Sequence, residues 1–271
     1  MPGNCLDPRD TVHALRDAGF ASGTPVALAV ARGGVGLAVA RRSWAVAGDP
    51  SDLVRRVARE LAPRWVWWSA RSTAARLLAD GVSLGGCWDL SAVHRLSYGG
   101  SADDPAHLWA VHHRLAPDGV PVDGQLDLGA GDPAGAGDPA HPVRPDGYLR
   151  PEWAEDGPAS PSQAREWAAL ALRVHDGQQG RLADLPDRRR TPLSPSLPVL
   201  TAWSESGAGL LAEELAMVGL PLDRATAGRL IAAHAGERPA DDVAAAAARA
   251  RRDDAVRRHV PDSGGVDLRN P

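Results

Sequence analysis

Residues 25–31 (PVALAVA) and 35–40 (VGLAVA) are short apolar runs separated by Gly33-Gly34, a pattern that predicts a β-hairpin. A third short strand is predicted over 43–46. The period then changes. Ser51 stands at an N-cap position and Leu53, Val54, Val57 and Leu61 follow at helical spacing, predicting a helix over 51–61. Residues 64–68 (RWVWW) are few and rich in strand formers, which predicts a buried strand. A helix over 72–79 stopped by Gly81, a strand over 84–88 and a helix over 90–96 come next. Strands first, then strand and helix in alternation, predict a mixed α/β domain with a partly parallel sheet.

One more helix is predicted over 104–115, and then the periodicity stops. Residues 116–160 are dominated by Pro, Gly and Asp and contain the hexapeptide GAGDPA twice in tandem, at 129–134 and 135–140. Such a composition buries too little apolar surface to offset its ordering entropy, so a flexible insertion is expected. From Ser162 the pattern returns: Trp167, Leu170, Ala171 and Val174 recur at i, i+3, i+4 and i+7, predicting one buried face of a helix reaching about Leu182. Residues 184–200 read as a linker, and 201–271 as all helix: one over 204–217 closed by Gly219, one capped by Asp223 and reaching His234, and an Ala- and Arg-rich one over 240–259.

Composition narrows the chemistry. The 271 residues carry a net charge of −4, and every basic residue counted in that balance is Arg. Without lysine no phosphate-loop motif can exist, and mild acidity argues against a chain that grips phosphates over its whole surface. Cys5 and Cys87 are too few for a disulfide framework or a cysteine zinc cage. No apolar run approaches the ~18 residues of a membrane helix and no basic-then-apolar leader opens the chain, so a cytoplasmic protein without membrane contact is expected. Gly34-Val35-Gly36 lacks the third glycine and the following helix of a dinucleotide fingerprint, and reads as a hairpin turn. Ser204-Glu205-Ser206-Gly207 lacks the leading glycine of a nucleophile elbow, and reads as a helix start. His112 and His113 point about 100° apart on a helix, which suits surface residues better than two ligands of one metal.

The stretch 64–96, RWVWWSARSTAARLLADGVSLGGCWDLSAVHRL, resembles in layout the middle of the 3′-to-5′ proofreading domain of family A (polymerase I-like) DNA polymerases, and more closely the shorter actinobacterial-type proteins described as bifunctional 3′-to-5′ exonuclease/DNA polymerase. Residues 143–153, the helix around 164–168 and the stretch EELAMVGLPLD at 213–223 match further pieces in order. The last is similar to the opening of the polymerase thumb. The resemblance implies an RNase H-like, 3′-5′ exonuclease-type mixed sheet with flanking helices over 1–183, followed by an all-helical partial thumb over 201–271 that stops before the palm. It further implies a role in DNA replication or repair as a nucleotidyltransferase relative, with primer-template DNA and the missing palm and fingers half as partners.

The same resemblance locates a metal site and shows it to be degenerate. Proofreading of this kind uses two metal ions, Mg²⁺ in the intact family, held by carboxylates. The family's first motif places an Asp and a Glu two residues apart on the first strand, both facing one side. Here those positions correspond to Ala27 and Ala29, and no acid occurs between Ala18 and Gly48. The second motif's Asp corresponds to Ser72 or Thr73, and Glu166 is the acid nearest the third, with Ser162 where a tyrosine usually stands. Asp89 matches a common residue beyond the second motif but serves equally as a helix cap. No metal ligand, no catalytic residue and no cofactor are therefore expected in this chain. Polymerase chemistry, which in this family uses a fingers lysine, is absent from it too.

DNA contact remains. Arg249, Arg251, Arg252, Arg257 and Arg258 lie on the last predicted helix, which the resemblance assigns to a thumb riding on duplex backbone. Asp241, Asp242, Asp253 and Asp254 share that helix, so an ordinary solvated surface with i,i+4 ion pairs is the competing reading. Trp65, Trp67 and Trp68 suit a core better than base stacking. The leading expectation is thus a truncated, DNA-binding, exonuclease-like protein. The alternatives are an active exonuclease with rearranged acids, using Asp89 and Glu166, and a non-enzymatic interaction module.

Overall fold

The computed structural model describes residues 5–121, 138–236 and 238–259. A short strand β1 (Cys5–Leu6) and helix α1 (Thr11–Asp17) precede three consecutive strands, β2 (Pro25–Ala31), β3 (Gly34–Val39) and β4 (Arg42–Ala47). Then come α2 (Pro50–Leu61), β5 (Arg64–Trp67), α3 (Ala70–Ala79), β6 (Cys87–Asp89), α4 (Leu90–Tyr98), α5 (Pro105–His112), α6 (Pro151–Asp156), α7 (Pro161–Ala183) and α8 (Leu197–Val218). Among the described residues, six strands form one mixed sheet in the order β1-β4-β3-β2-β5-β6. The tight turn at Gly33, whose φ of +79° suits glycine, makes β3 antiparallel to β2. The helical crossovers α2 and α3 bring β5 and β6 back parallel to β2. This is the mixed α/β architecture expected from the strand-then-alternation pattern.

Alternation along each strand sorts the core into two layers. Val26 and Leu28 of β2, Val35, Leu37 and Val39 of β3, and Trp65 and Trp67 of β5 face α1, α2 and α3. Ala27, Ala29 and Ala31, with Ala38, Val66, Trp68 and Trp88, face α7 and its neighbours. The second face is built from small residues where α7 crosses it, and Ala164, Ala168 and Ala171 of that helix meet it with small residues of their own. At Gly36 the approach is so close that a Cβ would overlap the carbonyl group of Ala164 and the amide nitrogen of Arg165. The three predicted tryptophans of 65–68 are core: Trp65 and Trp67 are 0% exposed and Trp68 is 3% exposed.

Several expected boundaries move. Asp49, not Ser51, caps α2, accepting from the Asp52 amide at 2.9 Å; the Ser51 hydroxyl instead donates to Asp80 at 2.6 Å. The expected linker 184–200 is a closed loop leading into a helix. Asp187 and Arg189 form a forked ion pair, Arg189 also donates to the carbonyls of Leu193 and Pro195, and Asp187 accepts from the Leu197 amide at 3.1 Å. α8 starts at Leu197, because Pro198 falls in the first turn, where no amide is needed. Ser204-Glu205-Ser206-Gly207 therefore lies inside a helix rather than at its start.

That helix packs on the sheet. Ser206 is 0% exposed; its hydroxyl accepts from the Asp89 amide at 2.9 Å and its carbonyl accepts from the Cys87 thiol at 3.3 Å, so α8 covers the polar edge of β6. The expected division near 184–200 thus falls inside the first compact unit, and the chain divides after Gly219.

The expected flexible insertion 116–160 is also corrected in part. Residues 122–137, with most of the tandem hexapeptide, lie outside the described residues. Residues 138–160 fold back onto the core, with Leu149 and Trp153 buried, a bridge between Val143 and Leu149, and the Trp153 indole donating to the Pro139 carbonyl at 3.3 Å. Two apolar side chains suffice to anchor a segment whose average composition looks disordered.

The second unit contains α9 (Arg224–Ala235), capped by Asp223, and α10 (Asp242–Arg257), capped by Asp241; no described residue of either helix is buried. No helix among the described residues is long and apolar enough to cross a membrane.

Cys87 sits in the first unit's core, and burial pushes its thiol up to about 12, with the Asp89 carboxylate adding to the shift. Cys5 is exposed. Titration of the native protein with a chromogenic disulfide reagent at pH 8 is expected to count one thiol, and the second only after denaturation. Two thiols reacting at equal rates in the native protein would contradict the seating of α8 over β6.

Candidate functional site

In open α/β sheets, ligands settle outside the carboxyl ends of strands at the point where the strand order reverses. Here that point lies between β2 and β5, since the chain runs from β2 outward through β3 and β4 and then returns to place β5 on the other side. A cleft opens there. Its floor is Ala29 and Val30 of β2 and Trp68 after β5; its walls are the start of α3, with Ser69, Ser72 and Thr73, and the segment Trp153–Pro158. Ser69 caps α3, accepting from the Ser72 amide at 3.2 Å, which fixes the hydroxyl-bearing first turn beside the strand ends.

The cleft's volume is about 160 Å³, below the roughly 300–1,000 Å³ typical of small-molecule sites. Tryptophans narrow it. Trp68 and Trp167 stack with ring centroids 4.7 Å apart, and Trp153 lies against Trp167 at 6.0 Å. The Trp68 indole donates to the Trp167 carbonyl at 3.4 Å, tying the stack to the backbone of α7.

The residues singled out from sequence do not converge here. Ala29 and Thr73 do line the cleft, and Ala27 lies deeper on the same sheet face, 0% exposed under α7. Asp89 is elsewhere and fully employed: it accepts from the Ala70 amide at 2.6 Å and from the Ala92 amide at 3.0 Å, joining the starts of α3 and α4. Burial holds its carboxyl above the ordinary range, and those two backbone hydrogen bonds offset only part of that rise. Glu166 points into a separate hollow, where it pairs with Arg165 at 3.1 Å and stands 3.7 Å from His141.

Two carboxylates at the cleft were missed from sequence. Glu155 and Asp156, on α6, are exposed at its wall. They fall in the segment read as an insertion, and the signal that marks them is Pro151 opening a helical turn with Trp153 as its apolar anchor. Among the described residues no group of three or more His, Cys, Asp or Glu side chains is placed to hold a metal ion.

In the second unit, Arg249, Arg251, Arg252 and Arg258 are exposed, while Arg257 is half-buried and pairs with Asp254 at 3.3 Å. α10 therefore presents guanidinium groups on a surface shared with Asp242, Asp253 and Asp254. Comparison with protein-family models, with curated proteins and with solved structures finds no match for this chain.

Proposed function

We propose that the first unit is an RNase H-like, exonuclease-type scaffold of the family A polymerase kind that has given up phosphodiester cleavage, and that the chain acts by binding DNA. One observation carries the reading. At the strand-order reversal, the positions that the family fills with metal-binding carboxylates hold Ala29 and Thr73, with Ala27 buried beneath α7; Glu155 and Asp156 stand exposed at the wall, and the Trp68–Trp167 stack narrows the cleft to about 160 Å³. A hairpin continued by parallel strands, with helices on both faces, is compatible with this fold and supports the reading. The exposed arginines of α10 supply the groups that would neutralise phosphates.

The test uses a labelled primer-template with Mn²⁺. No nucleotide release from the 3′ end is expected, together with binding that weakens steeply as salt rises. Replacing Arg249, Arg251 and Arg252 with Ala is expected to flatten the slope of log K against log salt by about one for each phosphate that is no longer neutralised. Mn²⁺-dependent release abolished by Glu166→Ala would overturn the proposal in favour of an active exonuclease. Absence of DNA binding at low salt would overturn it in favour of an interaction module.

A further inference from the structure

A second, larger recess lies along the far half of α7. Where α4, α5 and α7 meet they leave a groove of about 670 Å³, within the range of small-molecule sites. Trp167 of the cleft and Gly177 of the groove are ten residues apart on one helix, about 15 Å along its axis. The groove's character does not depend on what the cleft does.

Its lining mixes apolar side chains, Leu108, Val111, Val174 and Leu185, with polar ones, of which Gln178 is held by Trp88 and the Leu90 carbonyl. His94 is only 5% exposed, yet its imidazole makes no hydrogen bond among the described residues and lines the groove. Its ring nitrogens are therefore left to face the recess, where a bound group with donors and acceptors could meet them. His112, half-buried, and the exposed Tyr98, Arg114 and Arg181 line the same groove, and none of their side chains makes a hydrogen bond or ion pair among the described residues. Arg181 lies over the Tyr98 ring at 4.6 Å, and the Tyr98 and His94 rings are 4.9 Å apart, so three of these groups form one packed row. Among the described residues Asp184 is the one carboxylate in the lining, against two guanidinium groups.

Two backbone features hold this arrangement. Arg114 has φ of +58°, a left-handed conformation that a non-glycine residue adopts at a cost. Gly177 lies inside the 23-residue α7, where glycine costs about 1 kcal/mol relative to alanine. A Cβ there would overlap the His112 ring, so the glycine seats that imidazole at the groove wall. Burial holds both His94 and His112 below the usual imidazole range, favouring the neutral ring, which carries one N–H to donate and one nitrogen to accept.

We propose that the groove between α4, α5 and α7 binds a small phosphate-bearing anion, a phosphomonoester or mononucleotide, with Arg114 and Arg181 on its phosphate and His94 and His112 completing its hydrogen bonds. Two guanidiniums sharing a groove with two imidazoles match the charge and the several acceptor oxygens of a phosphate. The volume leaves space for the group it is attached to.

Calorimetric titration of the full chain at low salt, with inorganic phosphate, dAMP and deoxyadenosine as probes, tests this. Saturable binding of phosphate and dAMP to one site, with no binding of deoxyadenosine, is expected. The double variant Arg114→Gln/Arg181→Gln alters side chains with no hydrogen bond to the protein; it is expected to keep the wild-type melting temperature and to bind the phosphate probes at least tenfold more weakly. dAMP binding tenfold tighter than phosphate assigns a nucleotide as the occupant, and equal affinities assign a free or simple phosphate; both support the site. The proposal is overturned if neither phosphate probe binds, if the double variant binds undiminished, or if only a duplex oligonucleotide binds and the double variant loses it.

Discussion

Gly36→Ala is expected to destabilise the first unit by about 3 kcal/mol or more, at or beyond the upper end for overpacking a core. The added methyl would be driven into the Ala164 carbonyl group and the Arg165 amide, and these are backbone atoms of a 23-residue helix that cannot rotate away as a side chain would. Relief requires lifting α7 from β3, and with it the alanine-on-alanine packing that closes that face of the sheet. Gly33→Ala is the control: its φ of +79° disfavours alanine, but no described residue beyond its chain neighbours lies within 4 Å of the added atom, so only the left-handed backbone cost of about 1–2 kcal/mol is expected. Urea unfolding of the full chain, followed by tryptophan fluorescence, ranks the two. A Gly36→Ala protein as stable as the Gly33→Ala protein would mean that α7 does not sit against the sheet as described.

Ala27→Asp is expected to destabilise by about 3–5 kcal/mol, the penalty for leaving a buried charge uncompensated, and to give no Mn²⁺-dependent nuclease activity even when combined with Ala29→Glu and Thr73→Asp. Ala27 is 0% exposed and lies opposite Ala38 and Val66 in an apolar cluster where the Trp68 indole already donates to the Trp167 carbonyl, so a carboxylate would be left without a donor. The variant carboxyl would be forced to its neutral form, so its destabilisation should shrink as the pH falls toward 4. A folded triple variant that releases nucleotides with Mn²⁺ would show that the site lost only its ligands and kept its room. Loss of stability without activity would show that the tryptophan stack and the seating of α7 closed the site as well.

Much of the architecture was legible. The short apolar runs at 25–31 and 35–40, the helical spacing of Leu53, Val54, Val57 and Leu61, and the face of Trp167, Leu170, Ala171 and Val174 each reappear as the expected element, because a strand buried on both faces needs a continuous apolar run and a helix buried on one face needs its apolar residues at helical spacing. The start of α8 was hidden by Pro198, which signals a break in an interior and a beginning in a first turn. The fold of 138–160 was hidden because composition averages over a window, whereas Leu149 and Trp153 anchor it individually. The candidate acids Asp89 and Glu166 were visible as residues; their separation, and the presence of Glu155 and Asp156 at the cleft instead, was not.

The order of apolar and polar residues along the chain was enough to determine a mixed sheet with flanking helices and the lack of acids on β2, since both are properties of neighbours within a dozen residues. Which groups share a cavity was decided only by tertiary packing. His94, His112 and Arg181 come from three helices, and the recess they line exists because Gly177 lets two of those helices meet around an imidazole. A close approach between backbones distant in sequence leaves no periodic trace, so a glycine that permits one looks, in the sequence alone, like any other.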